Sequence, residues 1–538
     1  MCRSSVQKAL TLASGDNPVP ACADRRGDGR AAGPTQPSPV RLVRVFFPGQ
    51  PATGQRSRVS TLLGFGVLLT TALLAAPVDP INREAKLADS LRALGTRVVW
   101  RGAGARHHVR ALGFAHVAVT PDVLGVARRL PWLEAVSLRD AKLSDGAVRA
   151  LGASTGLRDL DLTGIPLTDA DLTALGHLRH LRCLNLNWTY VDDGGLSRLG
   201  CMDELQALSL DGAKITDAGL AWIGQRAQLR HLRLIFVTAV SGSGLRCISQ
   251  LRHLETLEIG GGNFGDEALA SIAGLKSLKH LYAGGTHIGD PGLASLANLR
   301  NLRSLDLHGT EVTDNGLPKL RLLPALRVLV LSRTAITDGG LGTLRCLPEL
   351  RALSFFGTKI GDRGLRSLQA LHNLRCLDLT DTKITDRALS CFRAWRHLEY
   401  LSLLGTDVGD EGLRNLRGLP DLKALNLGAT HLTDVGMRSL SGLRNLGRLR
   451  IGRTRVAGPG LLVLKGLARL EVLELDATRI DDTGLQFLQG PPSLRLVNLF
   501  ATKASARGRR ALAHRLPLAR IELRPVSPAQ WWFPCGGN

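Results

Sequence analysis

No group of residues in this sequence has the spacing of a catalytic site or a metal centre. The chain lacks the GxSxG, HExxH, Walker and kinase signatures, and it has no CxxC pair or His/Cys cluster with zinc-ligand spacing. The aspartates of the recurring TDxGL motif occur singly, one or more repeats apart, as at Asp314, Asp338 and Asp386. We interpret them as caps of short helices. We therefore expect no enzyme, no metal site and no cofactor.

Side chains suited to binding concentrate instead between residues 231 and 308. Aromatic and arginine side chains supply most of the binding energy in protein interfaces, and charged neighbours orient the partner. The glycines beside them, such as Gly261 and Gly285, would let a ligand approach the backbone. The candidate ligand-binding residues are His231, Arg233, Phe236, Glu258, His280, Tyr282, Asp306 and His308.

Two further groups are secondary candidates. Phe356 and Tyr400 belong to an apolar stretch that would mark protein contact if it is exposed. Arg448 and Arg450 could hold a carboxylate or phosphate group. The alternative for the two arginines is a cross-strand ion pair with acids of the following unit, such as Glu474.

All of these candidates lie on or just after the predicted strand of one internal repeat. Its clearest copies are LRSLDLHGTEVTDNGL from Leu302, LRCLDLTDTKITDRAL from Leu374 and LKALNLGATHLTDVGM from Leu422. The first leucine of each unit recurs every 24 residues from Leu133 to Leu518, with one extra residue in the unit that opens at Leu229. We expect this insertion to push Phe236 or a neighbour out of its layer, because a single break in a regular pattern often marks function.

Each unit predicts one strand, one turn and one short helix. In LxxLxL the fourth and sixth residues point inward, as Leu305 and Leu307 would, and the residues between them point outward. A Thr-Asp pair such as Thr313-Asp314 then begins a helix. No unit can bury its leucines alone, so successive units must stack.

This pattern resembles the leucine-rich repeat family, and more narrowly the bacterial proteins with LxxLxLxxTxITDxGLxxL repeats. The resemblance covers residues 133–523. It implies an α/β fold, a right-handed horseshoe solenoid with a parallel β-sheet on the concave face and short helices on the convex face. The position usually given to Asn is mostly Thr here, for example Thr310 and Thr382, and a Thr hydroxyl can also bond turn backbone.

The N-terminal region predicts export. Thr61–Ala76 is uncharged and follows Arg56 and Arg58, which is the arrangement of a cleaved signal peptide or a retained anchor, and both alternatives stay open. The chain would then lie in the periplasm, at the cell surface or on the cytoplasmic membrane. The expected organisation is a disordered or non-native extension (1–58), the signal peptide or membrane anchor (59–78), an N-terminal cap with a divergent repeat (79–132), the array (133–523) and a C-terminal cap or tail (524–538).

The net charge of the chain bears on which class of partner it binds. Lys and Arg number 69 against 46 Asp and Glu, a net charge of +23, and much of the excess falls beside the first leucine of each unit. This basic stripe lacks interleaved aromatic residues, and export would remove nucleic acid as a physiological partner. We expect a binding scaffold for a protein or an anionic envelope polymer, with membrane contact only through residues 59–78. The alternative is the substrate-recognition arm of an F-box-like ubiquitin-ligase receptor, which similar repeats resemble.

Overall fold

The computed structural model describes residues 80–101 and 108–525, with side chains from Glu84 onward. The chain divides into two compact units, residues 1–90 and 91–538. In the first unit the described residues form most of helix α1 (Pro80–Ala93). The expected extension (1–58) and export segment (59–78), and the C-terminal tail from residue 526, lie outside the described residues. Among the described helices, none combines the length and the apolar character needed to cross a membrane.

One sheet runs through the described part of the second unit. It contains nineteen strands there; β1 and β2 are antiparallel, and every later neighbour is parallel and in register. Its strands are β1 (Arg97–Arg101), β2 (His108–Gly113), β4 (Ala135–Ser137), β6 (Asp159–Asp161), β7 (Cys183–Asn185), β8 (Ala207–Ser209), β9 (His231–Arg233), β10 (Thr256–Glu258), β11 (His280–Tyr282), β12 (Ser304–Asp306), β13 (Val328–Val330), β14 (Ala352–Ser354), β15 (Cys376–Asp378), β16 (Tyr400–Ser402), β17 (Ala424–Asn426), β18 (Arg448–Arg450), β19 (Val472–Glu474), β20 (Leu496–Asn498) and β21 (Arg520–Glu522). Strands β3 (Ala118–Val119) and β5 (Lys142–Leu143) pair separately.

A short helix follows most strands. The α-helices after α1 are α2 (Pro121–Gly125), α3 (Ala147–Leu151), α4 (Asp169–Leu175), α5 (Asp193–Arg198), α6 (Asp217–Gly224), α7 (Asp266–Ile272), α8 (Asp290–Leu293), α9 (Asp362–Ser367), α10 (Asp410–Leu413), α11 (Asp434–Met437), α12 (Asp482–Gln486) and α13 (Ala506–Arg515). The 3₁₀ helices are Val126–Arg129, Ser243–Ile248, Ala294–Asn298, Leu317–Leu322, Leu341–Cys346, Asp386–Ala394, Arg414–Gly418, Arg438–Gly442 and Pro459–Gly466.

The core lies between the sheet and the helices. Leu302, Leu305 and Leu307 are fully buried, and Leu317 and Leu320 from the following helix close the same layer. The expected inward direction of the fourth and sixth repeat positions is therefore confirmed. Apolar burial of this kind contributes about 1.5 to 3 kcal/mol for each leucine. Because every layer repeats it, the core is continuous along the sheet.

The repeated threonine closes the turn after each strand. The Thr310 hydroxyl donates to the Leu307 carbonyl oxygen at 2.7 Å, and the Thr382 hydroxyl donates to the Leu379 carbonyl oxygen at 2.6 Å. Both threonines are buried. The hydroxyl thus satisfies a buried carbonyl oxygen inside its own layer. Left without a hydrogen bond, this oxygen would destabilise the fold by about 1 to 3 kcal/mol.

The repeated aspartate joins neighbouring layers, so our interpretation of it as a helix cap is wrong. Asp290 is the first residue of α8, and its carboxylate accepts from the Thr313 amide at 2.8 Å and from the Thr313 hydroxyl at 2.5 Å, one layer further on. A Cβ at Gly316 would overlap the Asp290 carboxylate. The same bond recurs in Asp193–Thr216, Asp314–Thr337, Asp362–Thr385 and Asp410–Thr433.

Replacing Gly316 with alanine tests this contact. Gly316→Ala should destabilise the array by about 1 to 3 kcal/mol, because the methyl group displaces the Asp290 carboxylate. In an Asp290→Ala background the same change should cost less. Gly342→Ala is the matched control, since a Cβ there would meet no atom within 4 Å. Chemical denaturation would give the free energy of unfolding of the wild type and of these four variants. Equal effects of Gly316→Ala and Gly342→Ala would contradict the assignment.

Candidate functional site

The first group of predicted site residues lies on four adjacent strands, β9 to β12. One row across the sheet aligns His231, Thr256, His280 and Ser304. The second row, which we call the charged row, aligns Arg233, Glu258, Tyr282 and Asp306. Their outward positions alternate with buried leucines such as Leu257 and Leu281. The structure therefore brings seven of the eight candidates onto neighbouring strands or just beyond β12, with Phe236 at the turn after β9.

Arg233 is held in place by two carboxylates. Its Nε atom lies 2.6 Å from Asp211 Oδ2, and its Nη1 atom lies 3.2 Å from Glu258 Oε2. Burial raises the pKa of Asp211, and the charge of Arg233 opposes that rise. The Arg233 side chain is 42% exposed. It therefore offers a ligand an oriented hydrogen-bond donor whose charge is already balanced.

His308 lies just beyond β12 and contacts Asp306, the residue at the other end of the charged row. Its Nδ1 atom lies 2.9 Å from Asp306 Oδ1, and the same oxygen accepts from the His308 backbone amide at 2.9 Å. The hydrogen bond to Asp306 raises the pKa of His308, while burial and the nearby Arg333 oppose the rise. The pair thus favours the protonated imidazole.

An aromatic edge adjoins these strands. Three side chains define it: Trp188 and Tyr190, which follow β7, and Phe236, which follows β9, and they are 45%, 62% and 54% exposed. The ring centroids of Trp188 and Phe236 are 6.1 Å apart, and the Lys214 Nζ atom lies 5.5 Å from the Tyr190 ring. Sequence reasoning found only Phe236, although Trp188 stands at the turn position where many other units carry glycine.

Backbone strain accompanies the aromatic edge. Trp188, Tyr190 and Phe236 have φ values of 57°, 59° and 59°, in the left-handed region that favours glycine. A bulky residue there costs about 1 to 2 kcal/mol. At the turn position of Trp188 and Phe236 the fold does not require a ring, because Gly212, Arg333 and Ala477 adopt the same conformation in other layers. The left-handed conformation therefore belongs to the turn, and the exposed rings are what distinguishes these layers.

The glycines of this region make room for rings rather than for a ligand. A Cβ at Gly212 would overlap Trp188, and a Cβ at Gly261 would overlap Phe236. At Gly284 a Cβ would overlap the His308 ring. The expectation that these glycines leave the backbone open to a ligand is therefore wrong for Gly261.

The extra residue of the unit at Leu229 does not explain the exposure of Phe236. Phe236 has the conformation and place of Gly212 one layer before and Gly261 one layer after. Buried Val237 and Val240 enclose the exposed Thr238-Ala239, so the insertion lies beyond the turn. The ring is exposed because its turn position faces solvent in every layer.

The two secondary candidates of the apolar stretch differ in their exposure. Tyr400, expected in an exposed apolar patch, is only 4% exposed and packs with Ala352 and Cys376, because the small side chains of the neighbouring strands admit its ring. The expected exposure of Tyr400 is therefore wrong, and burial raises the pKa of its hydroxyl. Phe356 is partly buried, with the Arg333 guanidinium 4.8 Å from its ring centroid.

Arg450 forms the cross-strand pair that was one of the two alternatives. Its Nη2 atom lies 3.3 Å from Asp476 Oδ2 and its Nε atom 3.7 Å from Glu474 Oε2, and its side chain is 11% exposed. Arg448 stands on the same strand, in register with Val472. Arg450 therefore balances two buried acids and is not available as an anion site.

Among the described residues, no group of three His, Cys, Asp or Glu side chains is arranged to hold a metal ion. A groove of about 250 Å³ lies at the strand-entry edge of β10 to β12, where the chain enters each strand. Its lining is polar, with His253, Glu255, Ser277, Lys279, Asn301 and Arg303. Sequence reasoning did not single out this groove.

Comparison with known proteins identifies the repeat. The family model described as Leucine Rich repeat matches residues 177–200, 250–273, 298–320, 370–392 and 396–416. No curated protein matches the chain.

The solved structures that are similar to this chain at low identity include the following three. A leucine-rich repeat protein of Leptospira interrogans is 20% identical, with a TM-score of 0.48, over 70% of this chain and 98% of that one. An internalin from Listeria monocytogenes is 21% identical, with a TM-score of 0.41, over 74% and 98%. A plant peptide hormone receptor, RGFR1 in complex with RGF2, is 16% identical, with a TM-score of 0.40, over 79% and 82%.

The His308–Asp306 pair predicts a pH dependence. Since the pKa of His308 is raised in the folded chain, the pair stabilises the fold below the ordinary His pKa of about 6.5, and this stabilisation is lost as the pH rises through the folded value. Asp306→Asn should lower the His308 pKa in an NMR titration and remove this dependence. Asp407→Asn, at an exposed acid of another layer, should leave His308 unchanged. A His308 titration that is insensitive to Asp306→Asn would contradict the assignment.

Proposed function

We propose that this leucine-rich repeat protein is a non-enzymatic scaffold, exported from a bacterial cytoplasm, that binds a protein partner through the aromatic edge and the adjoining charged row. The observation that carries the proposal is the exposure of the Trp188, Tyr190 and Phe236 rings, with the Trp188 and Phe236 centroids 6.1 Å apart. Large exposed rings of this kind mark interaction surfaces on soluble proteins.

The charged row complements the rings. Arg233, Glu258 and Asp306 are partly buried and lie at fixed positions on rigid strands, so they would orient a partner without losing much conformational entropy. Interface hot spots combine such aromatic anchors with oriented polar groups. A protein surface offers both apolar and polar contacts, and for this reason we favour a protein as the occupant of this edge.

Glycine substitution separates binding from folding. Trp188→Gly and Phe236→Gly remove the rings and relieve the strain, so we expect unchanged or higher melting temperatures with at least tenfold weaker partner binding, since each lost aromatic anchor costs about 2 kcal/mol. Ala477→Gly is the matched control, because Ala477 has a φ of 53° at the same turn position without a ring.

The partner would be captured with a photo-crosslinking amino acid at position 190 of the full chain, expressed in intact cells. We expect one protein adduct that persists in the Ala477→Gly control and disappears in the Trp188→Gly/Phe236→Gly double variant. An adduct that survives in the double variant, or that forms equally from a crosslinker at Phe500, would refute the aromatic edge as the binding surface.

Export is tested separately by cell fractionation. The uncharged run Thr61–Ala76, preceded by Arg56 and Arg58, supports export. We expect the chain in the periplasmic, surface or membrane fraction, and Leu68→Arg/Leu73→Arg should retain it in the cytosol. Recovery of the wild-type chain as soluble cytosolic protein with Thr61–Ala76 intact would contradict export without affecting the binding proposal.

A further inference from the structure

A row of five cations occupies the strand-entry edge, at the opposite ends of the strands from the aromatic edge. Each member is the residue just before one strand from β11 to β15: Lys279, Arg303, Arg327, Arg351 and Arg375. Their backbones are bonded in sequence, since the Arg327, Arg351 and Arg375 amides donate to the carbonyl oxygen of the previous member at 2.7 to 2.8 Å. We call this set the basic row. Its members are one strand spacing apart, about 4.8 Å along the sheet.

Glutamates close the basic row at both ends. Glu255 lies 3.0 Å from Arg230 and 2.9 Å from Lys279, and Glu399 lies 2.7 Å from Arg375 and 2.6 Å from Lys423. Hydrogen bonds from the lysines, with the neighbouring arginines, lower the pKa of both glutamates. The charges of the two end members, Lys279 and Arg375, are therefore balanced within the protein.

Inside the row the charges are not balanced. In the described part of the chain, no carboxylate lies within ion-pairing distance of Arg303 or Arg351, and Arg327 has only a 3.8 Å contact with Glu349. Arg303 and Arg351 are exposed. The row therefore presents a line of cations to solvent.

Folding alone would favour alternating charges at this edge. Like charges directly opposite on neighbouring strands destabilise a sheet, and opposite charges stabilise it. One earlier layer follows this rule: Glu134 lies between Arg110 and Arg158, bonded through the backbone to both and through its side chain to Arg110. The next pair, Arg158 and Arg182, again places two cations side by side, but the run from Lys279 to Arg375 is longer. The three central cations, Arg303, Arg327 and Arg351, forgo this gain along the row, which indicates that their counter-charges come from outside the chain.

The geometry points to a linear acidic polysaccharide, with a carboxylate on its successive sugars, as the ligand of the basic row. A sugar ring advances an extended polysaccharide by roughly one strand spacing of about 4.8 Å, so a chain of acidic sugars that lies along the row would bring carboxylates within reach of Arg303, Arg327 and Arg351. The groove at the end of the row is lined by Ser277, Asn301 and His253 as well as Lys279 and Arg303, and these polar groups suit sugar hydroxyls. This surface does not depend on the aromatic edge.

Two other polyanions fit less well. A single-stranded nucleic acid would need aromatic side chains for base stacking, and neither the five cations nor the groove lining includes Phe, Tyr or Trp. An extended acidic peptide advances by about 3.3 Å per residue, so its charges would not match the spacing of the row. A polymer with about one charge for each strand spacing can supply carboxylates to the three central arginines, Arg303, Arg327 and Arg351.

Binding of defined polymers to the full chain tests the inference. We expect polygalacturonate to bind and neutral dextran not to bind. Arg303→Gln/Arg351→Gln should weaken binding at least tenfold and reduce the slope of log K against log salt by about 1 to 2, since fewer counterions are released. The matched control is Arg363→Gln/Arg387→Gln, two exposed arginines on helices of neighbouring layers, which removes the same charge and should bind as the wild type does.

Three results would overturn the inference. One is the absence of polygalacturonate binding, and another is equal loss in the control variant. The third is equal or tighter binding of polyphosphate or an oligo-dT strand, which would replace the polysaccharide with another class of anion. Circular dichroism of both variants would establish that they are folded.

Reversing the charge of one arginine tests the inference independently. Arg351→Glu would place an acid between Arg327 and Arg375, so we expect a higher melting temperature together with loss of polygalacturonate binding. Such a trade of stability for binding is typical of functional surfaces. A lower melting temperature at low salt would show that the row is not under repulsion and would contradict the argument for an external counter-charge.

Discussion

The bond from the aspartate of one layer to the threonine of the next is the contact on which the regularity of the array depends. Asp290 accepts from both the amide and the hydroxyl of Thr313. The contact also explains the glycine three residues after the threonine, since the carboxylate occupies the space of a Cβ at Gly316. The threonine, aspartate and glycine that recur most regularly in the repeat therefore all take part in one interlayer contact. Together with the parallel strand register, it fixes each layer on the one before it.

A fixed register converts positions in the repeat into rows on the surface. Residues that are 24 apart in sequence become neighbours about 4.8 Å apart, so a side chain can be judged against what the same position carries in other layers. By this comparison the strand-exit turn of β7 and β9 is unusual for its rings, and the strand-entry edge of β11 to β15 for its uninterrupted cations. Both departures oppose local stability, and both are exposed.

The sequence predicts most of this architecture and less of its surface. The leucine period predicts the strands, the buried side chains and the alignment of Arg233 with Glu258 and Asp306, because these follow from position within a unit. The burial of Tyr400 was not predictable in this way, since it depends on Ala352 and Cys376 in preceding layers. Nor was the role of the aspartates, whose partners lie 23 residues away. Contacts within a unit can be predicted from the sequence of one repeat, whereas contacts between units depend on the residues of two or more repeats.

Contacts between neighbouring layers limit how many layers can carry an aromatic ring at the strand-exit turn or a cation at the strand-entry edge. A large residue at the strand-exit turn covers the equivalent position of the next layer, so Trp188 is followed by Gly212 and Phe236 by Gly261. Aromatic rings can therefore occupy at most alternate layers there, and Trp188 and Phe236 approach each other across the intervening glycine. The strand-entry edge has no such restriction, because its long side chains extend into solvent, and cations occupy five consecutive layers. A few anchors at wide spacing suit a folded protein surface, whereas a charge in every layer suits a polymer that repeats at the strand spacing.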